Sequence, residues 1–220
     1  VVIRRTALAG VAQAGLSSDD VEAMETHWAC LEFTKTVGWA ARDRPDDGLT
    51  SYEALLAWVA REGLVSPAER ERLIRRAAAG PEEAGRVLER AIELREVIYR
   101  IFSAIGEGRG AEPSDIAELN AYLPETQRRR GIVSSDGGYQ WGWREDPDTP
   151  LDRVLWPIVY SAASLLTWDE LERVKLCRAD DCGWLFVDAS RNRSRRWCDM
   201  SDCGNRAKAR RFRTRHSEAE

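Results

Sequence analysis

Cys177 and Cys182 bracket four residues, Arg-Ala-Asp-Asp. Cys198 and Cys203 bracket four more, Asp-Met-Ser-Asp, and fifteen residues separate the two pairs. Two short loops held apart by a hairpin-sized insert supply the four thiolates of a closed tetrahedral Zn²⁺ site. Two disulfides or an iron–sulfur cluster would also use four cysteines. The paired spacing, in a chain that leaves Cys30 alone, favours zinc over disulfides and points to a reducing, cytoplasmic compartment. Symmetric loops around a hairpin and a helix suit zinc better than a cluster. A catalytic metal is not expected. Such sites keep a position open to water and commonly recruit His or carboxylate, and the two histidines, His27 and His216, lie outside the cysteine span. With no nucleophile–base pair or phosphate loop either, the chain does not read as an enzyme. Cys30, in the apolar run Trp28-Ala29-Cys30-Leu31, reads as a core thiol.

A cationic run follows the last cysteine. Arg206, Lys208, Arg210, Arg211, Arg213 and Arg215 are its charged residues, with no acid among them. On a helix Arg206, Arg210 and Arg213 share one face and Lys208, Arg211 and Arg215 another. Ala207, Ala209 and Phe212 are left to pack inward. Like charges at i,i+4 repel by a few tenths of a kcal/mol per pair, so an external anion is a natural compensator. Arginine's planar fork suits bidentate contact with phosphate or guanine. Arg191, Arg195 and Arg196, in the polar turn before Trp197, extend the basic surface. From Ala189 to His216 the net charge is +8 while the whole chain carries −4, so an acidic body bears a basic tip. DNA contacted by the tip alone fits that asymmetry, and six phosphate contacts would give a log–log salt slope of about −5. Two other readings fit the same charges. The tip could bind an acidic protein surface, its own body included, as a zinc-stabilised interaction module. It could also bind RNA, with Trp184, Trp197 and Phe212 as stacking platforms where exposed.

The elements that position these residues are few. Leu171 to Leu176 leads into Cys177, Gly183 to Asp188 reads as an aromatic-rich strand, and Ala189 to Arg196 is a turn. Ser201 or Asp202 can cap a helix whose first turn carries Cys203. A knuckle, a strand pair and a helix describe a small treble-clef-like zinc finger of α+β character over residues 171–220. Taken alone it has too little core to fold without metal.

Residues 1–170 read as a mainly α domain. Ser51 opens a helix to Glu62, and Ser66-Pro67-Ala68-Glu69 is a capping box for a second, through about Ala78. From Pro81 to Ile105 an apolar stripe of Ala84, Val87, Leu88, Ala91, Leu94, Ile98, Ile101, Phe102 and Ile105 holds a 3.6 period. Pro113 opens a helix to about Leu123, and Thr149-Pro150-Leu151-Asp152 opens one through Leu166. One β-hairpin interrupts: Ile132-Val133, a Ser-Ser-Asp-Gly-Gly turn, then Tyr139 to Trp143. Its Tyr139, Trp141 and Trp143 share a face, read as a lid on the helical core. Arg95 falls beside the long stripe. A guanidinium buried there needs a carboxylate, with Glu32 or Glu93 as candidates, or an anionic ligand that Glu32 and Arg95 would meet. No stretch is long and apolar enough to span a bilayer, and the apolar part of Val1 to Gly15 is too thin for a signal peptide.

Leu31-Glu32-Phe33-Thr34-Lys35-Thr36 resembles the Leu-Asp-Phe-x-Asn-Thr start of the ABATE domain, a family of stress-related bacterial regulators. Leu31, Phe33 and Thr36 match, Glu32 keeps the acid, and Lys35 stands where Asn is expected. Trp197 to Arg206, ending Cys203-Gly204-Asn205-Arg206, resembles the CGNR zinc finger, and Trp184, Leu185, Phe186, Asp188, Arg191, Asn192, Arg195 and Arg196 fit it too. That family places such a finger after an ABATE-type domain. The resemblance implies a bacterial transcription regulator. A structural four-cysteine zinc site presents the basic helix to DNA, while the helical domain dimerises or senses a small-molecule effector.

Overall fold

The helices begin where the sequence supplies caps. The computed structural model describes residues 29–38, 47–135, 138–144 and 148–217, so the Val1 to Gly15 segment lies outside it. Residues 29–34 are helical (α1). Ser51 caps α2 (Tyr52–Arg61), its hydroxyl accepting from the Ala54 N–H at 3.2 Å. Ser66 and Glu69 close the expected box on α3 (Pro67–Ala79) with reciprocal bonds of 3.2 and 3.3 Å. Pro81 and Pro113 stand in the first turns of α4 (Pro81–Gly106) and α5 (Pro113–Arg129), where a missing N–H is harmless.

The long helix α4 is the axis of the core. Ala84, Val87, Ala91, Leu94, Ile98, Ile101 and Phe102 are buried as the stripe predicts, against α2, α3 and α5. Cys30 is fully buried in the core, and burial pushes its thiol up to about 12. Among the described residues no helix is long and apolar enough to cross a membrane.

Two helix boundaries depart from expectation. Helix α5 runs through Pro124 to Arg129, held past the proline by a 2.9 Å ion pair from Arg129 to Glu125 and by burial of Thr126. The last helix of the body, α6 (Trp156–Leu166), starts late, after a 3₁₀ turn over Leu151–Leu155. Pro157 has no N–H for the Arg153 carbonyl oxygen and its ring crowds that group, so a regular α-turn cannot form earlier.

Strands β1 (Arg130–Ser135) and β2 (Gly138–Trp143) pair antiparallel with Ile132 opposite Trp141. The lid reading holds for one aromatic only. Trp143 packs against Trp156 and Tyr160, with the Arg130 guanidinium over Tyr160 at 3.6 Å. Tyr139 and Trp141 are exposed instead, at 82% and 64%. The two-stranded ribbon extends beyond the helices, so only its base reaches the core.

The second ribbon, β3 (Val174–Leu176) with β4 (Leu185–Val187), docks on α4. Val174, Leu185 and Val187 join the same buried cluster as the helices. This half of the finger therefore has a core that does not depend on metal. Gly106 makes the contact possible, since a Cβ there would lie 2.8 Å from the Leu176 backbone nitrogen.

Candidate metal centre and nucleic-acid interface

Backbone bonds set the four cysteines. The Cys177 N–H donates to the Trp184 carbonyl oxygen at 2.9 Å and the Cys182 N–H to that of Ala179 at 3.0 Å, folding the first loop into a tight knuckle at the end of the β3–β4 ribbon. The Cys198 N–H points at Cys177 Sγ, 3.4 Å away. Cys203 sits in a π-helical turn, Met200–Gly204, that leads into α7 (Asn205–Ser217). Its cap is Asp199 and not Ser201 or Asp202: Asp199 Oδ1 accepts from the N–H groups of Ser201 and Asp202 at 2.6 and 3.2 Å. The wider π-turn moves the cap two residues or more toward the N-terminus.

All four Sγ atoms lie within 4.8 Å of one another, and none is in a disulfide. Cys182 to Cys198 is 3.7 Å and Cys198 to Cys203 is 3.6 Å. Tetrahedral zinc with Zn–S of about 2.3 Å requires S···S separations of about 3.8 Å, so the set fits a closed site of four thiolates. The thiols' electrostatics also call for a cation. A hydrogen bond from Cys198 pulls Cys182 down to about 5, while sharing that bond and being buried drive Cys198 far up, and burial pushes Cys203 to about 12. Four crowded sulfurs cannot all ionise together without a positive centre. The cofactor is structural Zn²⁺, whose charge offsets four thiolates and ties the two loops together.

The helix α7 is not uniformly free to meet a polyanion. Arg206 Nη2 donates to Cys203 Sγ at 3.2 Å, and its guanidinium also pairs with Asp181 and Asp202 at 3.3 and 2.5 Å. Arg210 pairs with Asp181 at 2.6 Å and Asp180 at 3.4 Å. The first cysteine loop thus holds the inner face of α7 by charge. Lys208 and Arg213 are exposed and meet no carboxylate among the described residues. Phe212, expected to pack inward, is 63% exposed, and Ala209 is exposed as well; Ala207 alone is half-buried. A helix this charged docks through its ion pairs and lacks an apolar stripe. The side chains of Arg211 and Arg215 lie outside the described residues.

The turn before Trp197 divides similarly. Asp188, fully buried, accepts from Lys175 Nζ at 2.5 Å, from the Arg195 N–H at 2.9 Å and from the Ser190 N–H at 3.0 Å. Arg193, in the left-handed region at φ 51°, pairs with Glu170 and Glu172. Arg195 donates to the carbonyl oxygens of Trp197 and Cys198 and lies over Phe186, so it braces the turn. Arg191 and Arg196 are exposed, and neither pairs with an acid among the described residues. Trp184 is 37% exposed with Lys35 Nζ 5.9 Å above its ring, and Trp197 is half-buried.

Glu32 and Arg95 are not brought together. The Arg95 side chain, 2% exposed, forms a bidentate pair with Asp47 at 2.7 and 2.6 Å and donates to Thr36 Oγ1 at 3.1 Å. That hydrogen bonding holds the Asp47 carboxyl below its usual range. Glu32 pairs with Lys35. The guanidinium thus finds its carboxylate in Asp47, and neither Glu32 nor Glu93 serves. Four residues that matter here escape a reading by motif alone: Asp199, Asp180, Asp181 and Arg178. The acidic pair inside the first cysteine loop, opposite in sign to the helix it meets, was the signal available for two of them.

Residues 28–169 match the family model of ABATE, "Putative stress-induced transcription regulator", and residues 173–216 match that of the CGNR zinc finger. No curated protein matches the chain.

Proposed function

Because the chain belongs to the ABATE family and carries a CGNR zinc finger, we propose that it regulates transcription by laying the exposed cations of α7 on duplex DNA. We take residues 1–170 as the regulatory domain, 171–220 as the DNA-contacting finger, and the cytoplasm as its place of work. The observation that carries this reading is the sorting of charge on α7. Arg206 and Arg210 are neutralised by Asp180, Asp181 and Asp202, while Lys208 and Arg213 stay exposed and meet no acid among the described residues, and Arg191 adds charge from the turn. Oriented by the metal, unneutralised cations release counterions when they meet phosphates.

A salt series on random-sequence duplex tests it. Each phosphate contact adds about −0.9 to the log–log slope, so Lys208→Gln with Arg213→Gln should flatten it by about 2. A wild-type affinity indifferent to salt rules the reading out. For self-association the supporting observation is the exposed apolar face of the β1–β2 ribbon, Ile132, Tyr139 and Trp141. A monomer by sedimentation at all concentrations excludes it.

A further inference from the structure

Between the first cysteine loop and the inner face of α7 lies an open groove of about 610 Å³, lined by Arg178, Asp180, Arg196, Trp197, Arg210 and Thr214 among others. Ligand clefts run from roughly 300 to 1,000 Å³, so this one suits a guest of nucleotide size and not a double helix. Its charge is set by which cations already have partners. Arg210 is balanced by Asp180 and Asp181. Arg178 and Arg196 are exposed and meet no carboxylate among the described residues. A backbone bond from the Arg178 N–H to the Arg196 carbonyl oxygen, 3.0 Å, fixes their two chain positions side by side. Both side chains line the groove from these neighbouring positions, so one anion in it can meet both guanidinium groups. The Arg196 guanidinium also lies 5.6 Å from the centre of the Trp197 ring. An anion held there has an aromatic surface within reach. A second cleft of about 360 Å³ shares Arg178 and Arg196 with the first and continues past Lys175 and Ser194.

We propose that this groove binds a nucleotide unit, with its phosphate on Arg178 and Arg196 and its base against Trp197. Guanidinium forks match phosphate oxygens, and base–indole stacking tolerates any base. The unit has two sources, a free nucleotide or one residue of a single strand, and the two clefts in series accommodate either. Neither Lys208 nor Arg213 lines the site, which does not need the duplex reading to hold.

The test uses the zinc-loaded full chain and anisotropy of short fluorescein-labelled oligo(dT), with duplex of equal length alongside and thymidine monophosphate or inorganic phosphate as competitors. Arg178→Gln with Arg196→Gln should weaken oligo(dT) about tenfold and leave duplex within about threefold. Lys208→Gln with Arg213→Gln should do the reverse. Competition by the monophosphate identifies a free nucleotide as sufficient. Oligo(dT) binding that the monophosphate does not displace identifies the strand as the source. Either result supports the groove. The proposal is overturned if wild type binds neither, if inorganic phosphate competes as well as the nucleotide, or if the groove variant weakens duplex and oligo(dT) alike. Oligo(dT) binding with no duplex binding would sink the regulator's helix contact and leave the groove standing.

Discussion

Stripping the metal should divide the finger instead of dissolving it. Its two halves rest on different forces. Val174, Leu185 and Val187 are buried in the body's core. At about 1.5–3 kcal/mol for each large aliphatic, they contribute roughly 5–9 kcal/mol before the entropy of ordering the ribbon. The far half has no such support. Helix α7 is 13 residues long, marginal in isolation, and half-buries only Ala207 and Arg210 among its described side chains. Its ion pairs are partly exposed and worth at most about 1 kcal/mol each. Zinc, with apparent binding of about 10–16 kcal/mol in isolated finger peptides, must hold it. Hydrogen–deuterium exchange on the chelated full chain reads this directly, with zinc loss checked by metal analysis. Amides of residues 199–217 should lose protection at the shortest labelling time. Those of α4 and of residues 174–187 should keep it. Protection of α7 that survives complete removal of zinc refutes the argument, and so does loss of protection throughout α4.

Arg206→Ala removes the donor to Cys203 Sγ and should lower zinc affinity about 10- to 100-fold in chelator competition; unchanged affinity would show that the bond is incidental. Gly106→Ala forces a Cβ to within 2.8 Å of the Leu176 nitrogen and should destabilise the chain by about 1–3 kcal/mol in urea titration. The Asp188 carboxyl is depressed to about 2: burial alone would raise it, but Lys175, the Ser190 hydroxyl and the N–H groups of Ser190 and Arg195 outweigh that. A depressed carboxyl contributes stability above its unfolded value of 3.8 that is lost as pH falls toward 2, here about 2 kcal/mol. The stability difference between wild type and Asp188→Asn should therefore narrow between about pH 5 and pH 2, and a constant difference would contradict it.

Local signals carried most of the fold. The Ser66–Glu69 box, the Pro81 and Pro113 starts and the stripe of α4 are each written within a few residues, and all appear as expected. So does the cluster of four cysteines, because its spacing is itself the ligand geometry. What escaped depends on neighbours distant in the chain or on competition among adjacent groups. Arg95 announced that it needed an anion, but Asp47 is brought to it by a bridge between Val37 and Asp47 that no periodicity encodes. Asp199 prevailed over Ser201 and Asp202 as cap because the π-turn widened the start of α7. Tyr139 and Trp141 alternate as a buried strand would, yet period 2 reports a shared face and not which side of it meets solvent. Helical phasing likewise grouped Arg206, Arg210 and Arg213, and only the fold reveals that Asp180 and Asp181 claim the first two.

The close approach at Gly106 reaches beyond stability. With backbone against backbone at the end of α4, the knuckle that carries Cys177 and Cys182 is seated on that helix. A chimera that transplants only the cysteine-bearing tail onto a foreign partner would lack the seat beneath its ribbon. A working transplant would have to bring along the last turns of α4, glycine included.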